Sequence, residues 1–64
     1  MQATMLTDGQ VQQAVWEAWN RQGWCNTMDA ATKHLACEIG GFEPCDLQAW
    51  IDAHSSEEIG DLLM

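Results

Sequence analysis

Residues 7–23 read TDGQVQQAVWEAWNRQG, and this stretch predicts the first helix of an all-α protein. Thr7 and Gln10 have the spacing of a capping box, in which each side chain accepts a hydrogen bond from the other residue's backbone N–H. Gly23 supplies a stop, because glycine favours the turn that follows a helix. Between these ends apolar residues recur every three or four positions, which is typical of a buried helix face: Val11, Val15, Ala18 and Trp19.

Similar signals predict a second and a third helix. The second is expected to begin at Asn26 or Thr27, both good N-caps, and to end at Gly40. Its predicted buried stripe consists of Met28, Ala31, Leu35 and Ile39. Pro44 suits the first position of the third helix, because a backbone N–H would be unpaired there in any case. The inward residues expected on that helix are Leu47, Trp50, Ile51 and His54.

A fourth helix is predicted by Ser55 and Glu58, which again have capping-box spacing. Its expected apolar residues are Ile59, Leu62 and Leu63. No run of alternating β-branched residues predicts a strand. We therefore expect a compact bundle of three to four short helices. The 64 residues are enough for one small domain, 1–64, with residues 1–6 as a flexible N-terminal arm.

Residues 35–51 have the outline of a helix-turn-helix. Ala36 and Gly40 stand where such motifs place a small packing residue and a turn glycine, although the turn is one residue longer than usual. The helix that would read DNA carries Glu43, Asp46 and Asp52, whose carboxylates oppose contact with phosphates. The pattern is compatible with a helix-turn-helix-like core, and its carboxylates disfavour DNA binding.

Charge is distributed very unevenly along the chain. The formal net charge is -8, and the seven carboxylates from Glu38 onward have no Lys or Arg among them. The only fixed cations, Arg21 and Lys33, precede that region. Such a chain repels nucleic acid and anionic membranes, whereas a basic protein surface attracts it at long range. We expect a protein partner, with no direct contact to nucleic acid or membrane.

The cysteines and the apolar segments bear on the compartment. No stretch approaches the roughly 18 apolar residues of a membrane span, and no secretory signal follows Met1. The three cysteines, Cys25, Cys37 and Cys45, cannot all pair within one chain. An odd count suits reduced thiols in the cytoplasm, with one disulfide and one free thiol as the alternative. We predict a cytoplasmic protein.

A metal site would have to use His34, Cys37, Cys45 and His54. His34 and Cys37 lie three residues apart and would share one helix face. The set nevertheless lacks the tight Cys-x2-Cys or His-x3-His spacing of zinc modules, and buried cysteine commonly packs as a small hydrophobic residue. We expect no metal and no cofactor, and these four residues are the weaker alternative.

Catalysis is not expected either. Cys37 near His34 imitates a thiol–imidazole pair. Carboxylates such as Glu38 would raise the pKa of that thiol, which disfavours the reactive thiolate. We predict that the protein is not an enzyme.

Five aromatic side chains, four Trp and one Phe, are a large apolar load for so short a chain. Trp16, Trp24 and Trp50 are candidate anchors for a partner, because Trp is enriched in binding hot spots. The alternative is a purely structural role, in which these tryptophans lie in the core or at its edge. The carboxylates that would steer a partner are Glu43, Asp46, Asp52, Glu57, Glu58 and Asp61. The alternative is that they only form a solvated surface.

These observations favour a small acidic protein-binding module. The specific hypothesis is an inhibitor or modulator, encoded by a phage or other mobile element, that docks on a basic surface of a host nucleic-acid-handling protein. It rests on an analogy of size and charge. The alternative is a structural or regulatory homodimer with a helix-turn-helix-like core. A DNA-binding regulator is the third hypothesis, which the net charge disfavours.

Overall fold

The computed structural model describes residues 5–24 and 26–63. Within them the chain forms four helices and no strand: α1 (Asp8–Arg21), α2 (Ala30–Gly40), α3 (Pro44–Asp52) and α4 (Ser56–Leu63). The predicted all-α bundle is therefore confirmed. Of the expected N-terminal arm, residues 1–4 lie outside the described residues, whereas Leu6 packs against the core.

Helix α1 begins and ends as its sequence predicts. The Gln10 N–H donates to Thr7 Oγ1 at 3.1 Å, and the Thr7 N–H donates to Gln10 Oε1 at 2.9 Å, which completes the capping box. After the last helical residue, Gly23 takes a φ of 85°, a conformation in which glycine is unstrained. All four predicted stripe residues are buried, together with Ala14.

The start of α2 differs from the prediction. Asn26 has a φ of 53°, in the left-handed region, so it cannot serve as the extended residue that caps a helix. The Thr27 carbonyl accepts a hydrogen bond from Trp19 Nε1 at 2.6 Å, which ties the connection to α1. Asp29 is the N-cap, because its side chain accepts from the Thr32 N–H at 2.9 Å.

The buried face of α2 is also shifted. Thr32, Ala36 and Cys37 are buried, whereas Ala31 is exposed and Leu35 and Ile39 are half-buried. Thr32 tolerates burial because its hydroxyl donates to Gln22 Oε1 at 3.0 Å. Met28, Leu35 and Ile39 nevertheless pack against the core, so only Ala31 of the predicted stripe was wrong. The prediction followed hydrophobicity alone and therefore passed over Thr32, a polar residue that has a partner.

Helices α2 and α3 are joined by the three residues 41–43. Gly41 has a φ of 72°, and its N–H donates to the Cys37 carbonyl at 2.9 Å. The Phe42 N–H donates to the same carbonyl at 3.1 Å, which folds the chain back on α2. The turn of three residues is therefore not longer than the usual turn of such a motif, contrary to the prediction. The helix-turn-helix-like core stays a prediction.

The last two helices begin as predicted. Pro44 is the first residue of α3, and Glu43 precedes it as the N-cap. Before α4, the Glu58 N–H donates to Ser55 Oγ at 3.1 Å and the Ser55 N–H donates to Glu58 Oε1 at 2.9 Å. Leu63 is buried, and Ile59 and Leu62 pack partly buried against the core.

The core is formed by all four helices: α1 packs against α2 and α4, and α3 packs against α2. Its fully buried large side chains are Trp19, Trp50, Leu47, Val11 and Val15. The radius of gyration is 11.0 Å, close to the roughly 10.7 Å expected of a compact chain this long. Across residues 5–24 and 26–63, no helix combines the length and the apolar character needed to cross a membrane.

Trp50 lies in this core and corrects one predicted site. Its exposed fraction is 0%, so it is not available as a contact anchor in this structure. The indole Nε1–H donates to Asp8 Oδ1 at 3.1 Å, and the ring stacks on His54 with centroids 4.2 Å apart. Trp50 therefore joins the end of α3 to the start of α1 and belongs to the fold.

Candidate protein-binding surface

The predicted acidic residues are on α3, on α4 and at the residue before α3. Five of the six are exposed, and Asp46 is half-buried. On α4, Glu57 and Asp61 are four residues apart and Glu58 and Asp61 are three apart, so they are surface neighbours. The remaining three are Glu43, Asp46 and Asp52. We refer to these six carboxylates as the acidic surface.

The charge of the acidic surface is not compensated within the described part of the chain. Ion pairs there involve histidine only: His34 Nε2 lies 3.5 Å from Glu38 Oε2, and His54 Nε2 lies 3.2 Å from Asp8 Oδ1. Neither pair includes a residue of the acidic surface. Carboxylates that form no ion pair with Lys or Arg leave their negative field available to a partner.

Most of these carboxylates also keep their hydrogen-bonding capacity. Asp52 accepts from Gln48 Nε2 at 3.0 Å, and Glu58 is used in the α4 capping box. Within residues 5–24 and 26–63, the other four make no side-chain hydrogen bond: Glu43, Asp46, Glu57 and Asp61. Each can accept hydrogen bonds from Lys or Arg without breaking a contact of the fold.

The two remaining candidate tryptophans occupy different places. Trp16 is 39% exposed, and its Nε1–H donates to the Leu63 carbonyl at 2.8 Å, so it lies beside the end of α4. Trp24 is 55% exposed and lies in the connection between α1 and α2, with a φ of 61°. The structure thus places Trp16 next to an acidic helix and Trp24 on a different segment.

Two shallow depressions cross α2, α3 and α4. The first has a volume of about 200 Å³ and is lined mainly by α2 and by the start of α3. The second has a volume of about 210 Å³ and is lined by Met28, Ile51, Ile59 and Gly60, among others. Lys33 lines both depressions. Neither was predicted from the sequence, although the helical spacing of Ala30, Lys33 and Cys37 marks one of their walls.

The alternative metal ligands do not converge. His34 and Cys37 both line the first depression, whereas His54 bonds to Asp8 at the other end of α3. In the part of the chain that the structure describes, no three His, Cys, Asp or Glu side chains form a group that could hold a metal ion. Cys37 and Cys45 are both free thiols, one buried and one exposed. The third cysteine, Cys25, lies outside the described residues.

The Cys37 thiol is held in its neutral form. Burial raises its pKa, and the nearby charges of Asp46, Cys45 and Glu43 raise it further. The direction agrees with the expectation from the sequence, but burial is the main cause and Glu38 is not among the others. A thiol with a raised pKa is a poor nucleophile at neutral pH. The absence of enzymatic activity stays a prediction.

Asp8 is a structural residue that the sequence did not single out. Its Oδ1 accepts hydrogen bonds from Trp50 Nε1 and from His54 Nε2 at 3.1 and 3.2 Å. His54 Nδ1 donates to the Trp50 carbonyl at 2.7 Å, so both of its ring nitrogens face oxygen acceptors. The sequence gives little indication of this role of Asp8, because only the tertiary fold brings Asp8, Trp50 and His54 together.

Comparisons with protein-family models, with curated protein sequences and with solved structures each found no match. The function proposed below is therefore argued from the geometry and charge of this chain alone.

Proposed function

We propose that the chain is a small acidic protein-binding module that docks its acidic surface on a basic surface of another protein. The observation that carries this proposal is the set of six carboxylates without a Lys or Arg partner in the described residues. In a monomer that only needs solubility, interspersed charges of both signs would suffice. A single-sign surface instead speeds encounter with an oppositely charged partner and orients it.

The biological form that we propose is an inhibitor or modulator encoded by a phage or another mobile element. It would act by occupancy, presenting carboxylates where a nucleic-acid-handling protein normally holds phosphates. Carboxylates one helical turn apart, such as Glu57 and Asp61, are separated by about 6 Å along the axis. The formal net charge of -8 on 64 residues supports this form. A cytoplasmic location belongs to the proposal, because the free thiols of Cys37 and Cys45 suit a reducing compartment.

The test uses purified basic nucleic-acid-binding proteins as candidate partners. Their affinity for the chain is measured by calorimetry at low and moderate salt, with and without competing duplex DNA. The key variant is Asp61→Lys, because a lysine in the second half of α4 suits the helix dipole and should not unfold it. The matched control is Glu17→Lys, which changes the net charge by the same amount at an exposed position of α1.

Asp61→Lys should weaken a genuine complex by about tenfold, and Glu17→Lys by less than about threefold. Competing DNA should displace the chain, and rising salt should weaken binding. Equal losses in both variants would show that only net charge matters and would overturn docking through the acidic surface. Binding insensitive to salt and to Asp61→Lys would also overturn it.

A homodimer is the second candidate, and the exposure of large apolar side chains favours it. Met5, Trp16 and Trp24 are 52%, 39% and 55% exposed. Self-association would bury them and add stability to a small core. Sedimentation equilibrium at micromolar concentration decides between a monomer and a dimer. Direct DNA binding is the third candidate, and it predicts a gel shift with a steep salt dependence.

A further inference from the structure

Helix α4 is the helix of the bundle that buries least. Of its eight residues only Leu63 is buried, whereas Ile59, Gly60 and Leu62 are half-buried. Each of the other three helices buries more residues, and α4 packs chiefly against α1. Elements with few buried apolar side chains are the ones that open locally while the rest of a fold stays closed.

Unfilled space lies beside α4. The depression of about 210 Å³ is lined by Ser56, Ile59 and Gly60 of α4, and by residues of α2, of α3 and of the connection before α2. The side chains on the two sides of this space are therefore incompletely packed against each other. Gly60 also weakens the helix itself, because glycine has a lower helix propensity than alanine. A helix of eight residues is too short to be stable alone, so α4 depends on its docking.

Two hydrogen bonds hold the end of α4 on α1. Gln12 Nε2 donates to the Leu62 carbonyl at 2.6 Å, and Trp16 Nε1 donates to the Leu63 carbonyl at 2.8 Å. The donors are four residues apart and share one face of α1. They supply partners to carbonyls of the last turn, which have none within their own helix. Loss of these two bonds and withdrawal of Leu63 would release α4.

The chain can pivot between His54 and Ser55. His54 Nε2 lies 3.2 Å from Asp8 Oδ1, and the imidazole ring stacks on Trp50, so this residue is held by α1 and α3. Ser55 follows directly, and its capping box with Glu58 belongs to α4. The contacts of the bundle therefore end where the local contacts of α4 begin.

Charge opposes the docking of α4. The helix carries Glu57, Glu58 and Asp61 and no Lys or Arg. None of the three is in an ion pair with a described cation, and the rest of the chain is also net negative. Like charges on α4 and on the other helices repel one another, and at about 0.01 M salt this repulsion extends over about 30 Å.

We propose that α4 opens as a unit while α1, α2 and α3 stay folded, and that a basic partner selects the closed form. The second part rests on the proposed function. In the closed form the carboxylates of α3 and α4 belong to one folded body and can engage one partner together, whereas opening separates them. A ligand that binds one of two forms more tightly shifts the population toward that form.

Amide hydrogen exchange of the full chain, followed residue by residue by NMR at about 0.01 M salt, tests the opening. The amides of residues 59–63 should share one protection factor, at least about tenfold below that of the buried α1 residues Val15 and Ala18. A gradient that falls only toward Leu63 would indicate fraying of a helix end. Equal protection in α4 and α1 would mean that α4 opens only with the whole molecule. Either result would overturn the proposal.

Gln12→Ala tests the hydrogen bond to the Leu62 carbonyl. It should lower the protection of residues 59–63 by about threefold to tenfold, which is the effect of one hydrogen bond. Gln13→Ala is the matched control, because Gln13 is exposed on the same helix and makes no side-chain hydrogen bond within the described residues. Its effect should be less than about twofold. Equal effects of the two variants would contradict the role of Gln12 in holding α4.

Asp29→Ala separates local opening from global unfolding. It removes the N-cap of α2, which the closed and open forms share. The α1 amides, which exchange by global unfolding, should lose about fivefold in protection. Residues 59–63 should be unaffected, because the stability of α4 docking does not depend on that cap. A loss of equal size in α1 and α4 would show that α4 does not open by itself.

The partner is represented by a peptide of eight lysines, with an uncharged Gly-Ser peptide of equal length as control. At about 0.01 M salt the lysine peptide should raise the protection of residues 59–63 by at least about threefold, and the control should not change it. Binding detected by calorimetry that leaves this protection unchanged would refute selection of the closed form. If the lysine peptide does not bind, the proposed function fails together with that selection, whereas opening of α4 is decided by exchange in the free chain.

Discussion

At the scale of single residues, Asp8 connects the start of α1 to the end of α3. Its carboxylate accepts the hydrogen bond of the buried Trp50 indole and contacts His54. Asp8→Ala leaves the indole N–H without its acceptor, and a buried unpaired donor costs about 1–3 kcal/mol. We expect that loss of unfolding free energy in urea denaturation followed by circular dichroism.

Asp8→Asn is the control for this prediction. It keeps an oxygen acceptor at the same position and removes only the charge, so its loss should be clearly smaller than that of Asp8→Ala. If the two variants are equally stable, the indole hydrogen bond does not support the fold.

The two described cysteines should differ strongly in reactivity. Cys45 is exposed, whereas Cys37 is 5% exposed and has a raised pKa. A thiol reagent at neutral pH should modify Cys45 quickly and Cys37 only when the bundle opens, because the thiolate is the reactive form. Peptide mass spectrometry after timed labelling measures both rates. Comparable rates in the native protein would contradict the burial of Cys37.

At this scale the sequence predicted residues whose role is local. Val11, Val15 and Trp19 follow helical spacing and are buried as expected. Trp50 was assigned both to an inward position and to a contact surface, and its complete burial in the fold decides for the first. Thr32 was missed because its hydrogen bond to Gln22 arises from tertiary packing. Partners distant in sequence leave no periodic signal.

At the scale of helices, two glycines should respond oppositely to the same substitution. Gly60 has open space around it, so Gly60→Ala should stabilise the protein by about 0.5–1 kcal/mol through helix propensity. At Gly40 a Cβ atom would overlap the ring of Phe42. Gly40→Ala should therefore destabilise the protein despite its better propensity. Thermal unfolding of both variants tests the pair, and stabilisation by Gly40→Ala would contradict the packing of Phe42.

The cap of α2 predicts a pH dependence. The hydrogen bond from the Thr32 backbone N–H lowers the pKa of Asp29 below its usual value of 3.8. A carboxyl group with a lower pKa in the folded state stabilises the protein above its unfolded pKa, and this contribution is lost as pH falls through the folded pKa. Wild type should exceed Asp29→Asn in stability at neutral pH.

The same comparison in acid completes the test. The difference in melting temperature between wild type and Asp29→Asn should shrink as the pH falls below 3.8. A difference that does not change with pH would mean that the carboxylate charge plays no part in the cap.

Helix limits were predictable where their signals are local. The capping boxes at Thr7 and Ser55 and the proline at the start of α3 each involve residues three or fewer apart, and all three were found. The start of α2 was not predicted correctly, because the hydrogen bond from Trp19 to the Thr27 carbonyl holds the connection in a conformation in which Asn26 has a left-handed backbone. A tertiary contact thus moved the helix start past two good capping residues to Asp29.

At the scale of the whole molecule, the two depressions show what helical periodicity does not predict. Each is lined by residues of more than one helix, and Lys33 lines both. Periodicity predicts which face of each helix is apolar, but not which of those faces remain uncovered after packing. The acidic surface could be predicted more fully, because a long stretch without Lys or Arg has no cation nearby to compensate it.

The net charge also predicts how stability depends on salt. The molecule measures 38 × 25 × 18 Å, whereas the Debye length is about 30 Å at 0.01 M salt and about 10 Å at 0.1 M. At low salt the carboxylates therefore repel one another across most of the molecule, and in the described residues no Lys or Arg ion pair offsets this. Raising NaCl from about 0.01 to 0.3 M should increase the unfolding free energy by about 1 kcal/mol. Glu17→Lys and Asp61→Lys should each reduce this gain in urea titrations, because each decreases the magnitude of the negative net charge. An unfolding free energy that falls as salt is raised would show instead that attractive charge pairs dominate.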